Sequence, residues 1–159
     1  MSTEEGVVQV ADVMTSVRVS DLKTGALRAA AVRMWEQQTG SLLVMEGDKL
    51  LGIVTERDVV RTVAQGGDVD AGTVGEVMTS DVLTVPPDMP LYEAARLMVS
   101  RWVRHLPVVE GGQVVGVLSL RDLVAVLAAL GPVTDDVSLP ADELVRSRRL
   151  ARIEAGDLD

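Results

Sequence analysis

Two short segments carry the residue types that could hold a ligand. Thr55-Glu56-Arg57-Asp58 and Ser119-Leu120-Arg121-Asp122 each place a hydroxyl three residues ahead of a carboxylate. Each follows a short run of apolar residues, so the spacing predicts that the hydroxyl stands where a strand hands over to a helix. A hydroxyl there, beside the unsatisfied N–H groups of a helix N-terminus, makes a small anion site fit for a phosphate. A carboxylate one turn further on can accept two hydrogen bonds from a vicinal diol such as a ribose. The same spacing is also that of a capping box, in which each side chain satisfies the other residue's backbone N–H. The two roles are compatible, and the residues alone leave both open.

The surroundings of the two segments differ. Arg101, Arg104 and His105 stand ahead of the second, where the first has Gln37, Gly40 and Ser41. This predicts the second cleft as the stronger site for an anionic group, with Arg101 or Arg104 on phosphate. The alternative is that these arginines are solvated or paired with acids, on a chain whose formal net charge is −9. His105 is the single histidine and there is no cysteine, so a strong transition-metal site and a thiol nucleophile are excluded. The carboxylates lack metal-ligand spacing, and no nucleophile–base pair or glycine-rich phosphate loop is present, so the expectation is a non-enzyme with no metal. His105 then reads as a cleft-edge or structural residue.

The elements that must position these groups come as a repeat. Val13-Met14-Thr15-Ser16 returns as Val77-Met78-Thr79-Ser80, and Gly52 to Asp58 returns in type as Gly116 to Asp122, both at an offset of 64 residues. Leu27, Ala30, Ala31 and Met34 match Leu91, Ala94, Ala95 and Met98 at the same offset. Two units in strict register predict a tandem repeat whose halves pack on each other. Each half reads as strand, helix, strand, strand, helix. In the first, a strand at 17–20 precedes a helix ending at Thr39-Gly40, a hairpin of 41–45 and 50–54, and a closing helix from about Arg57 to Gln65. In the second, a strand at 82–85 ends at Pro86-Pro87, and Asp88 caps a helix with Pro90 in its first turn. A hairpin of 106–109 and 114–118 turns on Gly111-Gly112, and a helix runs from Arg121 to Gly131-Pro132.

These boundaries divide the chain into a tail (1–9), a first repeat (10–67), a linker (68–73), a second repeat (74–131) and a partly helical extension (132–159). The extension has acids at its predicted helix start and Arg146, Arg148, Arg149 and Arg152 near its end. The stretch from Leu123 to Leu130 is apolar on every face. It is expected either between layers of one chain or in a subunit interface, and a homodimer is favoured.

Composition bounds the rest. The sequence is 47% hydrophobic but has only two tryptophans, one tyrosine and no phenylalanine. The core is therefore expected to be aliphatic, with Trp35, Trp102 and Tyr92 as isolated exceptions and the methionines as gap-fillers. The acidity argues against a nucleic-acid surface. No secretory signal and no membrane-spanning run is visible, so a cytoplasmic protein is the default. The abundance of Arg over Lys, with Ala, Val and Gly, hints at a bacterial source.

Taken together, the doubled Val-Met-Thr, the doubled Gly-x-x-Thr/Ser-x-x-Asp and the run Arg104-His105-Leu106-Pro107-Val108-Val109 make the chain resemble a tandem pair of CBS domains, a Bateman module, over roughly Val10 to Leu130. The resemblance implies an α/β (α+β) fold of two β-α-β-β-α repeats related by a pseudo-twofold, plus the C-terminal helical appendage. It also implies a non-catalytic sensor that binds an adenosine compound (AMP, ADP, ATP, NAD or S-adenosylmethionine) between the repeats. Energy sensing and a downstream protein partner fit the same reading. Carried onto this sequence, the nucleotide-binding set is Ser20, Ser41, Thr55, Asp58, Thr84, Arg101, Arg104, His105, Pro107, Ser119 and Asp122. The backbone around Val19-Ser20 and Leu83-Thr84 is assigned to adenine. Leu43 departs from the family's proline, which Pro107 keeps. The alternatives are a ligand-free dimerisation module and a regulatory subunit of a separate enzyme or transporter.

Overall fold

The computed structural model describes residues 7–130. The chain runs through α1 (Val10–Val13), β1 (Ser20–Asp21), α2 (Leu27–Glu36), β2 (Ser41–Glu46), β3 (Lys49–Thr55) and α3 (Glu56–Ala64). It continues through α4 (Val74–Val77), α5 (Leu91–Arg101), β4 (His105–Glu110), β5 (Gln113–Ser119) and α6 (Leu120–Leu130). The result is an α+β fold. The expected C-terminal helical extension lies outside the described residues.

Both hairpins close tightly, at Gly47-Asp48 and at Gly111-Gly112, between the end pairs Glu46↔Lys49 and Glu110↔Gln113. Gly111 and Gly112 both have positive φ (57° and 82°), the backbone that a two-residue type I′ turn demands. In the first half, β1 adds to β2 in parallel, with Leu43 N–H donating to the Val19 carbonyl at 3.2 Å. The strand expected at 17–20 thus begins only at Ser20. The counterpart expected at 82–85 does not form a ladder: only Val85 bridges, to Val108. Its cause is Pro107, which stands at the position of Leu43 and has no N–H to give to Leu83.

Two short helices were not foreseen, and they lock the halves together. Val10 N–H donates to Met89 O (2.9 Å), Ala11 N–H to Pro87 O (2.8 Å), and Leu91 N–H to Val8 O (2.9 Å). The mirror set is Val74 N–H to Gly25 O (2.8 Å), Gly75 N–H to Lys23 O (2.7 Å) and Leu27 N–H to Gly72 O (3.0 Å). Each helix is started by a capping box, Gln9 with Asp12 and Thr73 with Glu76. Val10 is fully buried among Val85, Leu91, Met98, Leu106 and Leu118, whereas Val74 is buried among Leu27, Met34, Leu42 and Val54. Each repeat therefore completes its core with the helix that begins the other. Full burial of one such valine stabilises by about 1.5–3 kcal/mol.

A second interlock explains the glycine that opens each Gly-x-x-Thr/Ser motif. Thr15 pairs with Val117 and Thr79 with Ile53, so the segment after each short helix lies along the other repeat's last strand. A Cβ on Gly52 would stand 2.6 Å from Met78 Sδ, and one on Gly116 2.8 Å from Met14 Sδ. Only glycine admits the crossing chain.

The helix starts and the aromatics also differ from expectation. Asp88 is not the cap of α5. It lies in a turn in which Met89 N–H reaches Pro86 O (3.3 Å), and Pro90 itself precedes the helix. Trp35 and Tyr92 are not core residues: they are 77% and 59% exposed. On α6, Leu123 is buried but Val124 and Leu127 are exposed, so this helix is not sandwiched between layers of the described chain.

Candidate functional site

Ser119 and Thr55 end β5 and β3, at the strand-to-helix junctions that their spacing predicted. Both capping boxes form. Asp58 accepts from Thr55 N–H (2.8 Å) and the Thr55 hydroxyl (2.9 Å), and Asp122 accepts from Ser119 N–H (2.8 Å) and the Ser119 hydroxyl (2.6 Å). In both, one carboxylate oxygen, Oδ2, takes these bonds. The other oxygen separates the two residues. Asp58 is buried, and its Oδ1 accepts from Arg61 at 3.3 Å. Asp122 is half-buried, and its Oδ1 has no partner among the described residues.

A cavity of about 560 Å³ opens between the repeats. The first repeat supplies Thr15 to Val19, the end of α2 (Met34, Trp35, Gln38 to Gly40), Ser41, Leu43 and Glu56. The second supplies Arg104, His105, Val117, Ser119 to Asp122 and Val124. Buried Val19, Met34 and Leu43 supply the apolar part of its lining. The hydroxyl and carboxylate of Ser119 and Asp122 stand with Arg104, Arg121 and His105. Arg18, Arg104 and Arg121 outnumber Glu56 and Asp122, and none of the three pairs with a described carboxylate. On an acidic chain this is a locally cationic site, suited to an anion beside an apolar group.

His105 reaches across the seam. A Cβ on Gly40 would stand 3.1 Å from its Cε1 and 3.3 Å from Glu56 Oε2, so Gly40 gives room to both. Burial, and then the charge of Arg104, hold the imidazole below its ordinary pKa, while Glu56 and Asp122 oppose the shift. Backbone bonds hold the two walls alike, Glu56 N–H to Gly40 O (3.1 Å) and Leu120 N–H to Arg104 O (2.8 Å).

Of the expected residues, Ser41, Arg104, His105, Ser119 and Asp122 meet in this cavity. Ser20 lies just beyond its lining, next to Val19. Thr55, Asp58, Thr84 and Arg101 lie outside it, and Pro107 is buried in β4. Of the two backbone stretches assigned to adenine, the one around Val19-Ser20 reaches this cavity through Val17 to Val19, and the one around Leu83-Thr84 does not line it. Trp102 ends α5 in the left-handed region (φ 55°) and does not line the cavity. Arg18, Trp35 and Arg121 were missed. For Arg121, its place inside the Ser-x-x-Asp motif was the available signal. For Arg18 and Trp35, only the pairing of the repeats reveals their place.

Comparison with known proteins bears on this geometry. The family model described as "CBS domain" matches residues 10–65 and 74–129. A CBS domain-containing protein of Bacillus subtilis, YhcV, is 35% identical over 115 residues, covering 72% of this chain and 81% of its own. An uncharacterized protein of Methanopyrus kandleri is 36% identical over 113 residues, 67% of this chain, which thus spans only 58% of that relative's length. Among solved structures, a CBS domain protein of Pyrobaculum aerophilum complexed with AMP superposes with a TM-score of 0.70 at 31% identity, over 77% of this chain and 98% of that one.

Proposed function

Because the chain belongs to the CBS-domain family, as a tandem pair, we propose that it is a non-catalytic regulatory module whose cavity takes an adenosine-containing nucleotide of the AMP, ADP, ATP, NAD or S-adenosylmethionine class. The observation that carries this reading is the cavity between the repeats, which joins an apolar lining from one to Ser119, Asp122, Arg104 and Arg121 of the other. Its volume falls within the range of about 300–1,000 Å³ usual for small-molecule sites. The AMP bound by the Pyrobaculum relative supports the ligand class.

A ligand that touches both repeats binds best at one angle between them, and so shifts the arrangement that a partner reads. The module works in the cytoplasm as a homodimer, its state passed to a separate protein. Among the described residues no helix is long and apolar enough to cross a membrane.

The test is a thermal-shift panel of AMP, ADP, ATP, NAD and S-adenosylmethionine on the purified chain. A ligand at a hundred times its Kd adds about 2.7 kcal/mol to stability, so a selective rise in Tm is expected. A flat panel, on protein shown by mass spectrometry to carry no nucleotide, overturns the reading.

A further inference from the structure

Trp35 is placed where its residue type makes little sense for folding. It lies on the last turn of α2 with 77% of its surface exposed, the most of any large apolar side chain described. A scattered exposed aliphatic residue needs no explanation, but an indole in water on the wall of a cavity does. Its counterpart 64 residues on is Val99, so the second repeat has no such residue at that position.

The local backbone holds Trp35 in place. Gln38 takes the left-handed conformation (φ 52°), a cost for a residue other than glycine. In return Thr39 N–H reaches Met34 O (3.0 Å) and Gln38 N–H reaches Trp35 O (3.2 Å), which closes the helix end. The Gln38 side-chain amide also donates to Trp35 O at 2.8 Å. The helix end that carries the indole is thus fixed, and Trp35 lines the same cavity as the buried Val19, Met34 and Leu43. A flat aromatic group held against those side chains would keep one face on which an indole can stack.

We propose that Trp35 is a specificity-determining residue that stacks on the base of the bound nucleotide, selecting an aromatic base over a bare sugar phosphate. The proposal rests on the nucleotide reading above and assigns the base to the part of the cavity lined by Trp35.

The test measures AMP affinity by calorimetry for the wild type, Trp35→Ala and Trp35→Phe, together with quenching of tryptophan emission. A base–aromatic stack is worth roughly a five- to hundredfold change in affinity on alanine substitution. Trp35→Ala is expected to weaken AMP by that factor, Trp35→Phe by much less, with ligand-free Tm unchanged in both. AMP should quench the emission of the wild type and not that of Trp35→Phe, where Trp102 alone emits. AMP bound equally by wild type and Trp35→Ala overturns the stacking role and leaves the nucleotide reading standing. Absence of AMP binding to the wild type overturns the stacking role as stated here, and the remainder of the panel then decides the nucleotide reading. A change in sedimentation instead of affinity on Trp35→Ala makes the indole a protein contact and also overturns the proposal.

Discussion

Asp58 and Asp122 look equivalent in sequence and are alike as helix caps, yet they differ in what they have left to offer. Both close a capping box with one oxygen, but the second oxygen of Asp58 is taken by Arg61, whose counterpart in α6 is Ala125. Only Asp122 faces the cavity. Asp58→Ala and Asp122→Ala should therefore each cost about 1 kcal/mol of stability, the usual value of a cap. Nucleotide affinity should separate them. Asp122→Ala removes hydrogen bonds to a charged acceptor worth about 1.5–3 kcal/mol, roughly a ten- to hundredfold loss, whereas Asp58→Ala should leave affinity unchanged. Chemical denaturation and calorimetry on the two variants check both halves, and equal affinity losses would exclude the assignment of the ligand to this cavity alone. At this scale the Ser/Thr-x-x-Asp chemistry was legible because three-residue spacing is local to a helix turn. Arg101, Arg104 and His105 already set the second segment apart in sequence, but the pairing of Asp58 with Arg61 and the entry of Asp122 alone into the cavity did not show there.

At the level of elements, hydrophobic period and turn chemistry recover the long helices and both hairpins, because those are decided within ten or so residues. The pieces that were misread are those whose partners are distant. α1 and α4 are too short to show a period and are stabilised by the other repeat's core. The strand expected at 82–85 is undone by Pro107, more than twenty residues away. Gly52 and Gly116 invite a direct test of the interlock. A Cβ on Gly52 would meet Met78 Sδ at 2.6 Å and the Thr79 carbonyl at 2.9 Å. The carbonyl belongs to a paired backbone and cannot swing aside as a methionine tip can. Gly52→Ala and Gly116→Ala should each destabilise by about 1–3 kcal/mol, the range of core overpacking. Substitution at Gly47, which has a positive φ but open space around it, separates backbone strain from this clash. A Tm for Gly52→Ala equal to that of the wild type would remove the crossing from the list of constraints.

For the whole molecule, the apolar surface left uncovered follows the repeat. Val60 and Val63 of α3 are 65% and 61% exposed, and their counterparts Val124 and Leu127 of α6 are 56% and 57% exposed. Four such side chains at matching positions on the closing helices are what a homodimer would cover. If the proposed homodimer uses this surface, Leu127→Glu, which changes a residue outside the cavity lining, should raise its dissociation constant tenfold or more, about 1.4 kcal/mol, by analytical ultracentrifugation. An unchanged association would move the interface elsewhere. The sequence by itself determined that there are two units in register, which residues form their long helices and hairpins, that the core is aliphatic, and that each unit carries a hydroxyl–carboxylate pair at a strand-to-helix junction. Only the tertiary structure decided that each unit lends its first helix to the other. Only it could show that Ser119 and Asp122 share a cavity with Val17 to Val19 and Trp35 of the first repeat. The reason is physical: spacing along a chain encodes contacts within a few turns, whereas a cavity between two halves is made by residues whose separation in sequence says nothing of their distance in space.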